Sequence, residues 1–285
     1  MSQRLVRQLI ISLLLTLNVF LGVYLLTSSR LDSLHTRERL NQVLALYEQA
    51  GITFQETPQE SSRIVRNRLE LSTADVDAIV EAFLGEEIYS KSYIYGSKVQ
   101  YQKDDITILT NRPQHTITYT DESVSAWTPP EGLSETELTS MIQPLARRFA
   151  ENWLGEVYLS EWRQDENGYR FVYRQMIEDE IYYFNTISLV VTMDGVRTAV
   201  ITIWNVDGTG ESLQGLPQDE MLYSGLIQIT ASSTVQAQVE RVFDGYVIGK
   251  TVTSSGEQTA VAVPVQTIRL VGGKSVITRY SGEQP

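Results

Sequence analysis

The side chains best suited to acid–base or metal chemistry are few in this chain and widely separated. It contains two histidines, His35 and His115, and no cysteine. A zinc site or a Ser-His-Asp site needs several such groups in one place. We therefore expect each histidine to be exposed or hydrogen-bonded rather than functional. The lack of cysteine excludes disulfides, thiolate metal sites and cysteine nucleophiles.

Two acidic clusters, Glu86-Glu87 and Glu178-Asp179-Glu180, offer the paired carboxylates that glycoside hydrolysis requires. The second cluster lies between two isoleucines, which is typical of an acidic turn that joins two strands. The sequence has no calcium-loop spacing and no phosphate-binding, dinucleotide-binding, zinc-protease or serine-hydrolase motif. We therefore expect no enzyme activity, no cofactor, and no catalytic or metal residues. An exported hydrolase remains an alternative hypothesis.

Aromatic residues concentrate in two stretches that have the composition of strands. Aromatic side chains on half-buried strands usually belong to the core, because they pack well against cross-strand neighbours. An exposed binding face is the alternative. The residues concerned are Tyr89, Tyr93, Tyr95 and Tyr101, and then Tyr169, Phe171, Tyr173, Tyr182, Tyr183 and Phe184.

The charge pattern argues against nucleic acid as a partner. The formal net charge is −12, and residues 1–26 contribute only Arg4 and Arg7. The acidic character therefore belongs to the rest of the chain, where it repels phosphate backbones.

Residues 9–26 form an uncharged apolar run that predicts a transmembrane helix. The two preceding arginines favour a cytoplasmic segment at residues 1–8 and an extracytoplasmic region at residues 27–285. A cleaved signal peptide is the competing interpretation, although the run is long for one and no A-x-A site follows. Asn18 and Gly22 lie four residues apart, which favours contact with another transmembrane helix.

The extracytoplasmic region reads as helices followed by runs of strands, which predicts an α+β fold with helices packed on antiparallel sheets. A first helix is expected over residues 34–50, ended by Gly51 in a left-handed conformation. A second is expected from Ser72 with Asp75 in its first turn, and a third from the capping box Ser134 and Glu137. A weaker helix is expected to begin at Ser233. Extended runs are expected at residues 88–95, 98–102, 106–110, 116–120, 157–163, 169–175, 186–193, 197–206, 246–253, 260–270 and 275–280.

Glycine and proline residues predict the positions of turns and linkers. Asn167-Gly168 and Asp194-Gly195 favour type I′ hairpin turns. Pro264 favours an edge position for its strand. Residues 208–218 and 110–132 have linker-like composition, which leaves room for two subdomains, at about 31–132 and 133–285.

Several segments resemble the YycI (WalI) family, the membrane-anchored regulators of the WalK/WalR two-component system, and the related YycH proteins. The resemblance lies in the apolar anchor LNVFLG, in the end of the first predicted helix, and in a tyrosine-rich strand with the hairpin after it. The segments are residues 17–22, 46–52, 182–185 and 189–196. Residues 251–280 depart from the family pattern.

The resemblance implies a cell-membrane protein that regulates a sensor histidine kinase through transmembrane and extracytoplasmic contacts. Its expected partners are a WalK-like kinase and a YycH-like protein. No catalytic residue is carried over from the family. The alternative is an extracytoplasmic module that binds a ligand or the cell wall without catalysis.

Overall fold

The structure is a computed structural model. It describes residues 37–58, 65–85, 88–94, 96–128, 132, 134–214, 217–232, 237–252, 258–271 and 275–279. Asn18 and Gly22, with the rest of the predicted span, lie outside these ranges, as do His35, Glu86 and Glu87. None of the helices within the described ranges is both long and apolar enough to cross a bilayer.

The described chain is an α+β structure made mostly of sheet, with a few helices. The helices are α1 (residues 37–49), α2 (Val76–Leu84), α3 (Glu135–Leu154) and α4 (Gln218–Ser232). The strands are β1 (Thr53–Phe54), β2 (Val65–Thr73), β3 (Ser90–Ile94), β4 (Lys98–Lys103), β5 (Ile106–Asn111), β6 (Thr116–Asp121), β7 (Val157–Asp165), β8 (Gly168–Ile177), β9 (Glu180–Thr192), β10 (Gly195–Thr202), β11 (Trp204–Gln214), β12 (Gln238–Val252), β13 (Gln258–Leu270) and β14 (Ser275–Arg279).

Three helices are each followed by strands that pair with their neighbours in sequence. Helix α2 precedes the antiparallel run β3 to β6, which we call the first meander. Helix α3 precedes the second meander, β7 to β10, and α4 precedes the third meander, β12 to β14. Strands β6 and β10 pair and join the first two runs. A two-residue parallel ladder between β9 and β12 joins the third. Strand β2 pairs with both β11 and β13, so the strands form one continuous sheet.

Helix α3 begins as its sequence predicts. The Ser134 hydroxyl accepts a hydrogen bond from the Glu137 N–H, and the Glu137 carboxylate accepts one from the Ser134 N–H at 2.9 Å. These bonds satisfy N–H groups that have no partner inside the helix. The helix continues through Pro144 and buries one face that includes Ile142 and Ala146.

The start of α2 differs from the prediction. Ser72 belongs to β2, and Asp75 is the residue that caps α2, because its carboxylate accepts the Ala78 N–H at 3.1 Å. Strand β2 itself was not predicted. Its hydrogen-bond partners are β11 and β13, each more than a hundred residues away, so no local pattern indicates this strand.

The helix predicted from Ser233 is wrong. Val239 and Val242 lie in β12, and the helix before this strand is α4, at Gln218–Ser232. The buried stripe of α4 is hard to recognise in the sequence, because the exposed apolar residues Tyr223 and Ile227 lie next to the buried Leu222 and Leu226. The linker predicted at residues 208–218 is also wrong for most of its length, which belongs to β11, and β6 occupies part of residues 110–132.

The two predicted hairpins exist, but their turns are not type I′. A type I′ turn needs positive φ at both central residues. Gly168 and Gly195 have φ of 134° and 145°, whereas Asn167 and Asp194 are not among the residues with positive φ. The registers Asp165–Gly168 and Thr192–Gly195 place each glycine after the two-residue loop.

Pro264 lies in an interior strand, not an edge strand. Strand β13 pairs with β12 along its length, and on its other side with β2 at Val261 and Ala262 and with β14 from Val265 onward. Pro264 lies between these two ladders. A proline has no N–H to donate, so this break is where the strand tolerates it.

The buried side chains form three clusters. The largest lies under α2 and α3 against strands β4 to β10. A second lies between α1, α4 and strands β12 and β13, and a third, small one surrounds Tyr182 and Tyr246 where β9 meets β12. The division into subdomains near residue 132 stays a prediction, and both parts contribute strands to the one sheet.

Candidate functional site

Within the described ranges, the histidine and the acidic residues are not assembled into a centre. His115 is buried, its ring centroid lies 3.9 Å from that of Trp204, and its Nδ1 has no hydrogen-bond partner. It is therefore neither exposed nor hydrogen-bonded through Nδ1, contrary to expectation. Burial lowers the pKa of this imidazole. Over the described ranges, no three histidine or acidic residues are placed to hold a metal ion.

The acidic cluster at residues 178–180 joins two strands, as predicted. Glu178 and Asp179 have φ of 50° and 66°, and the pair Ile177–Glu180 closes the hairpin between β8 and β9. Positive φ at both central residues is the pattern of a type I′ turn.

Most of the aromatic residues belong to the core. Tyr169, Phe171 and Tyr173 are at most 1% exposed and line the largest cluster. Tyr183, between two buried aromatics on β9, is half-buried and faces a cleft. Tyr93 on the edge strand β3 is 75% exposed. The core interpretation is therefore confirmed for the second stretch, with Tyr183 as the exception.

Helix α1 is docked on the third meander. Tyr47 is fully buried, and its hydroxyl donates a 2.7 Å hydrogen bond to the Leu222 carbonyl of α4. Leu40, two turns earlier on α1, is 5% exposed in the same cluster. Gly51 ends this segment with φ of 76°, the conformation predicted for it.

A cleft of about 830 Å³ lies between strands β7 to β9 and strands β12 to β14. Its walls combine apolar side chains with two arginines, Arg174 and Arg269, and two glutamates, Glu161 and Glu240. The other lining residues are Gln143, Leu159, Ser160, Trp162, Tyr183, Ser275 and Ile277.

Arg174, on β8, is held rigidly in this cleft. Its Nε donates to the Ser160 hydroxyl at 3.1 Å, and its Nη1 donates to the Tyr183 carbonyl at 2.8 Å. The guanidinium lies 4.8 Å from the centre of the Tyr183 ring. Burial lowers the pKa of this arginine, and no carboxylate of the described residues forms an ion pair with it.

Arg269, on β13, closes the other side of the cleft. Its Nη1 donates to the Tyr158 hydroxyl and to the Leu159 carbonyl, and its Nε lies 2.9 Å from a Glu240 carboxylate oxygen. Beside it, the Tyr183 hydroxyl donates to the Thr267 hydroxyl at 2.7 Å. These contacts tie the second meander to the third across the cleft.

The two arginines were not singled out from the sequence. Arg174 follows the aromatic run of β8, and Arg269 lies between the buried residues Ile268 and Leu270. A charged residue next to buried apolar residues of a strand was the available signal. It could not reveal that two such charges, far apart in the chain, face one cleft.

No protein-family model matches the chain, and no curated protein matches it. Among solved structures, it is similar to an uncharacterized protein from Eubacterium rectale, at 12% identity and a TM-score of 0.43, over 82% of this chain and 88% of that one. It is also similar to the C-terminal domain of Bacillus megaterium YpeB, at 11% identity and a TM-score of 0.39, over 75% of this chain and 95% of that one. At these TM-scores neither likeness adds evidence on function, and the resemblance to YycI stays a prediction.

Proposed function

We propose that this protein is a membrane-anchored accessory regulator of a two-component sensor histidine kinase, of the YycI type. In this proposal residues 1–8 are cytoplasmic, residues 9–26 span the cell membrane, and the α+β region is extracytoplasmic. The protein contacts a WalK-like kinase and a YycH-like partner and carries out no catalysis itself.

The docked helix α1 is the observation that carries this proposal. Its described part starts at residue 37, eleven residues after the predicted span, and Leu40 and Tyr47 bury it against α4 and the sheet. In this proposal residues 27–36 pass a shift of the extracytoplasmic region from α1 to the transmembrane helix, and a change at the kinase acts back on the region by the same route.

An exposed apolar pair on α4 supports a contact outside the membrane. Tyr223 and Ile227 lie one helical turn apart and are 48% and 53% exposed. Aromatic and aliphatic anchors of this kind are common at the centres of protein interfaces.

The proposal is tested by purifying the full-length protein from its native membrane in mild detergent and measuring the kinase that accompanies it. Asn18→Leu and Gly22→Leu each remove a group suited to helix contact. Their expected effect is a roughly three- to tenfold loss of co-purified kinase. Phe20→Leu is the matched control, because position 20 lies on the opposite face of a helix and should retain the kinase.

A second form of the protein, with residues 1–26 replaced by an unrelated anchor, separates the two kinds of contact. Loss of the kinase with this form supports the transmembrane route, and partial retention that disappears in an Ile227→Ser background supports the α4 surface. If the kinase is fully retained with the exchanged anchor, both with and without Ile227→Ser, the proposal is contradicted.

The second candidate function is an extracytoplasmic ligand-binding module. The cleft that contains Arg174 and Arg269 favours it.

A further inference from the structure

We infer that the cleft between strands β7 to β9 and β12 to β14 binds a small ligand through an anionic group, a carboxylate or a phosphate, with Arg174 as its main anchor. This inference stands independently of the regulator proposal.

The first reason is that the positive charge of Arg174 is partly buried without an ion pair. Its guanidinium is partly buried, and its hydrogen bonds to Ser160 and Tyr183 go to neutral oxygens. Glu161, which also lines the cleft, acts on it electrostatically, but no carboxylate of the described residues forms an ion pair with it. Burying a charge without a directly paired counter-ion is costly. An anion in the cleft would give the guanidinium a directly hydrogen-bonded opposite charge.

The second reason is preorganisation. Ser160 and Tyr183 occupy Nε and Nη1, so the plane of the guanidinium is set before a ligand arrives, and Nη2 has no partner in the described structure. A fixed planar fork suits the oxygen pairs of carboxylates and phosphates better than it suits a spherical ion such as chloride.

The third reason is the composition of the walls. Arg269 adds a second guanidinium, which Glu240 neutralises in part, and Trp162 and Ile277 are 43% and 37% exposed at the cleft. A volume of about 830 Å³ is in the range of small-molecule sites. The walls therefore fit an anionic group attached to an apolar or planar body, and the whole cleft exceeds the size of a single ion.

The test uses the full-length protein in detergent and follows its thermal unfolding at constant ionic strength. Benzoate is compared with the neutral benzamide, and inorganic phosphate is compared with sodium chloride. We expect benzoate, phosphate or both to raise Tm in a saturable way, because a ligand that binds only the folded state stabilises it. Benzamide and chloride should not. The more effective anion identifies which of the two groups the cleft prefers.

Two substitutions and two matched controls test whether the anion binds in the cleft. Arg174→Gln should weaken binding by roughly tenfold or more, since a charged hydrogen-bond donor is lost. Ser275→Asp places a negative charge at an exposed lining position opposite Arg269 and should also weaken binding, whereas Ser275→Asn should not. Arg163→Gln, at an exposed arginine of β7 outside the lining set, is the control for a general change of charge.

The inference is overturned by a flat response of the native protein to both anions up to about 50 mM, well above the Kd range of a specific site. It is equally overturned if Ser275→Asp responds as Ser275→Asn does. Because Ser275 is exposed, that comparison decides the matter even where Arg174→Gln fails to fold. Kinase co-purification is not involved, so this failure is distinguishable from failure of the regulator proposal.

Discussion

Asp77 fastens α2 to the first meander. The residue is 6% exposed, and its carboxylate accepts hydrogen bonds from the Thr110 hydroxyl at 2.6 Å and from Arg112 Nε at 2.7 Å. Burial acts to raise the pKa of Asp77, but these hydrogen bonds and the charge of Arg112 outweigh burial and lower it. The ionised form is therefore the one that the fold stabilises.

We expect Asp77→Asn to lower the free energy of unfolding at pH 7 by about 1–3 kcal/mol, because the charged hydrogen bonds to Thr110 and Arg112 are weakened. A carboxylate whose pKa is lowered by folding stabilises the protein above its unfolded pKa of about 3.9, and this contribution is lost as the pH falls through the folded pKa. The difference between native protein and variant should therefore shrink in acid. Urea titrations at several pH values measure it.

The control for Asp77 is Asp105→Asn, at an exposed turn position. It should leave the unfolding free energy unchanged within about 0.5 kcal/mol, as surface substitutions generally do. A difference for Asp77→Asn that stays constant from pH 7 into the acid range would show that ionisation of Asp77 is not what stabilises α2.

At the scale of elements, the close approach of α4 to the sheet depends on Gly225. A Cβ built at Gly225 lies 2.2 Å from Ile268 Cδ1 and 3.3 Å from the Tyr47 hydroxyl. Ile268 is fully buried, so its side chain has little room to move. The glycine lets α4 seat against β13 while α1 reaches the Leu222 carbonyl.

Gly225→Ala should therefore destabilise the protein by roughly 1–3 kcal/mol through overpacking, although alanine is favoured over glycine in a helix by about 1 kcal/mol. Thermal unfolding measures the change. Gly208→Ala is the control, because a Cβ there meets nothing within 4 Å. A Gly225→Ala variant as stable as the native protein would show that α4 can move away from β13 at little cost.

At the scale of the whole molecule, a short ladder between β9 and β12 joins the second meander to the third. In the described part of the chain, the backbone ladder between β12 and β9 consists of the pairs Gly245–Ile181 and Tyr246–Tyr182. A Cβ at Gly245 would lie 2.4 Å from the Ile181 carbonyl oxygen, which is backbone and cannot rotate away. Gly245 therefore permits the contact that holds the second and third meanders in one sheet.

Gly245→Ala should cost roughly 3 kcal/mol or more, at the upper end of overpacking effects, because relief requires a backbone shift. Gly249→Ala on the same strand is the matched comparison, since its Cβ meets a Val263 side-chain methyl at 2.6 Å. Hydrogen exchange should show faster opening of β12 to β14 in Gly245→Ala than in Gly249→Ala. Equal protection in the two variants would contradict this role of the junction.

The third meander separates the cleft from helix α1, because the two lie on opposite faces of its strands. Ile268 and Leu270 face the cluster beneath α1 and α4, while Arg269 between them faces the cleft. On β14, Val276 packs toward the same cluster and Ile277 lines the cleft. Side chains alternate across a strand, so a ligand in the cleft would lie one sheet thickness from α1.

Features that depend on neighbours in sequence were predictable. The capping box of α3, the end of α1 at Gly51 and the acidic turn at residues 178–179 each involve groups a few residues apart, so their physical cause is contained in a short window. Alternating strands such as β4, β5 and β6 were also placed correctly, because one buried face imposes a period of two.

Features that depend on distant partners were not predictable. Strands β2 and β11 hydrogen-bond to each other although more than a hundred residues separate them, and the buried residues of α4 pack against α1 and β13, which are separated from it in the sequence. The cleft likewise needs Arg174 and Arg269 to be brought together by separate meanders. In all of these elements the hydrogen bonds and the burial come from segments that are distant in the sequence. A short sequence window does not determine which distant segment will pair with it.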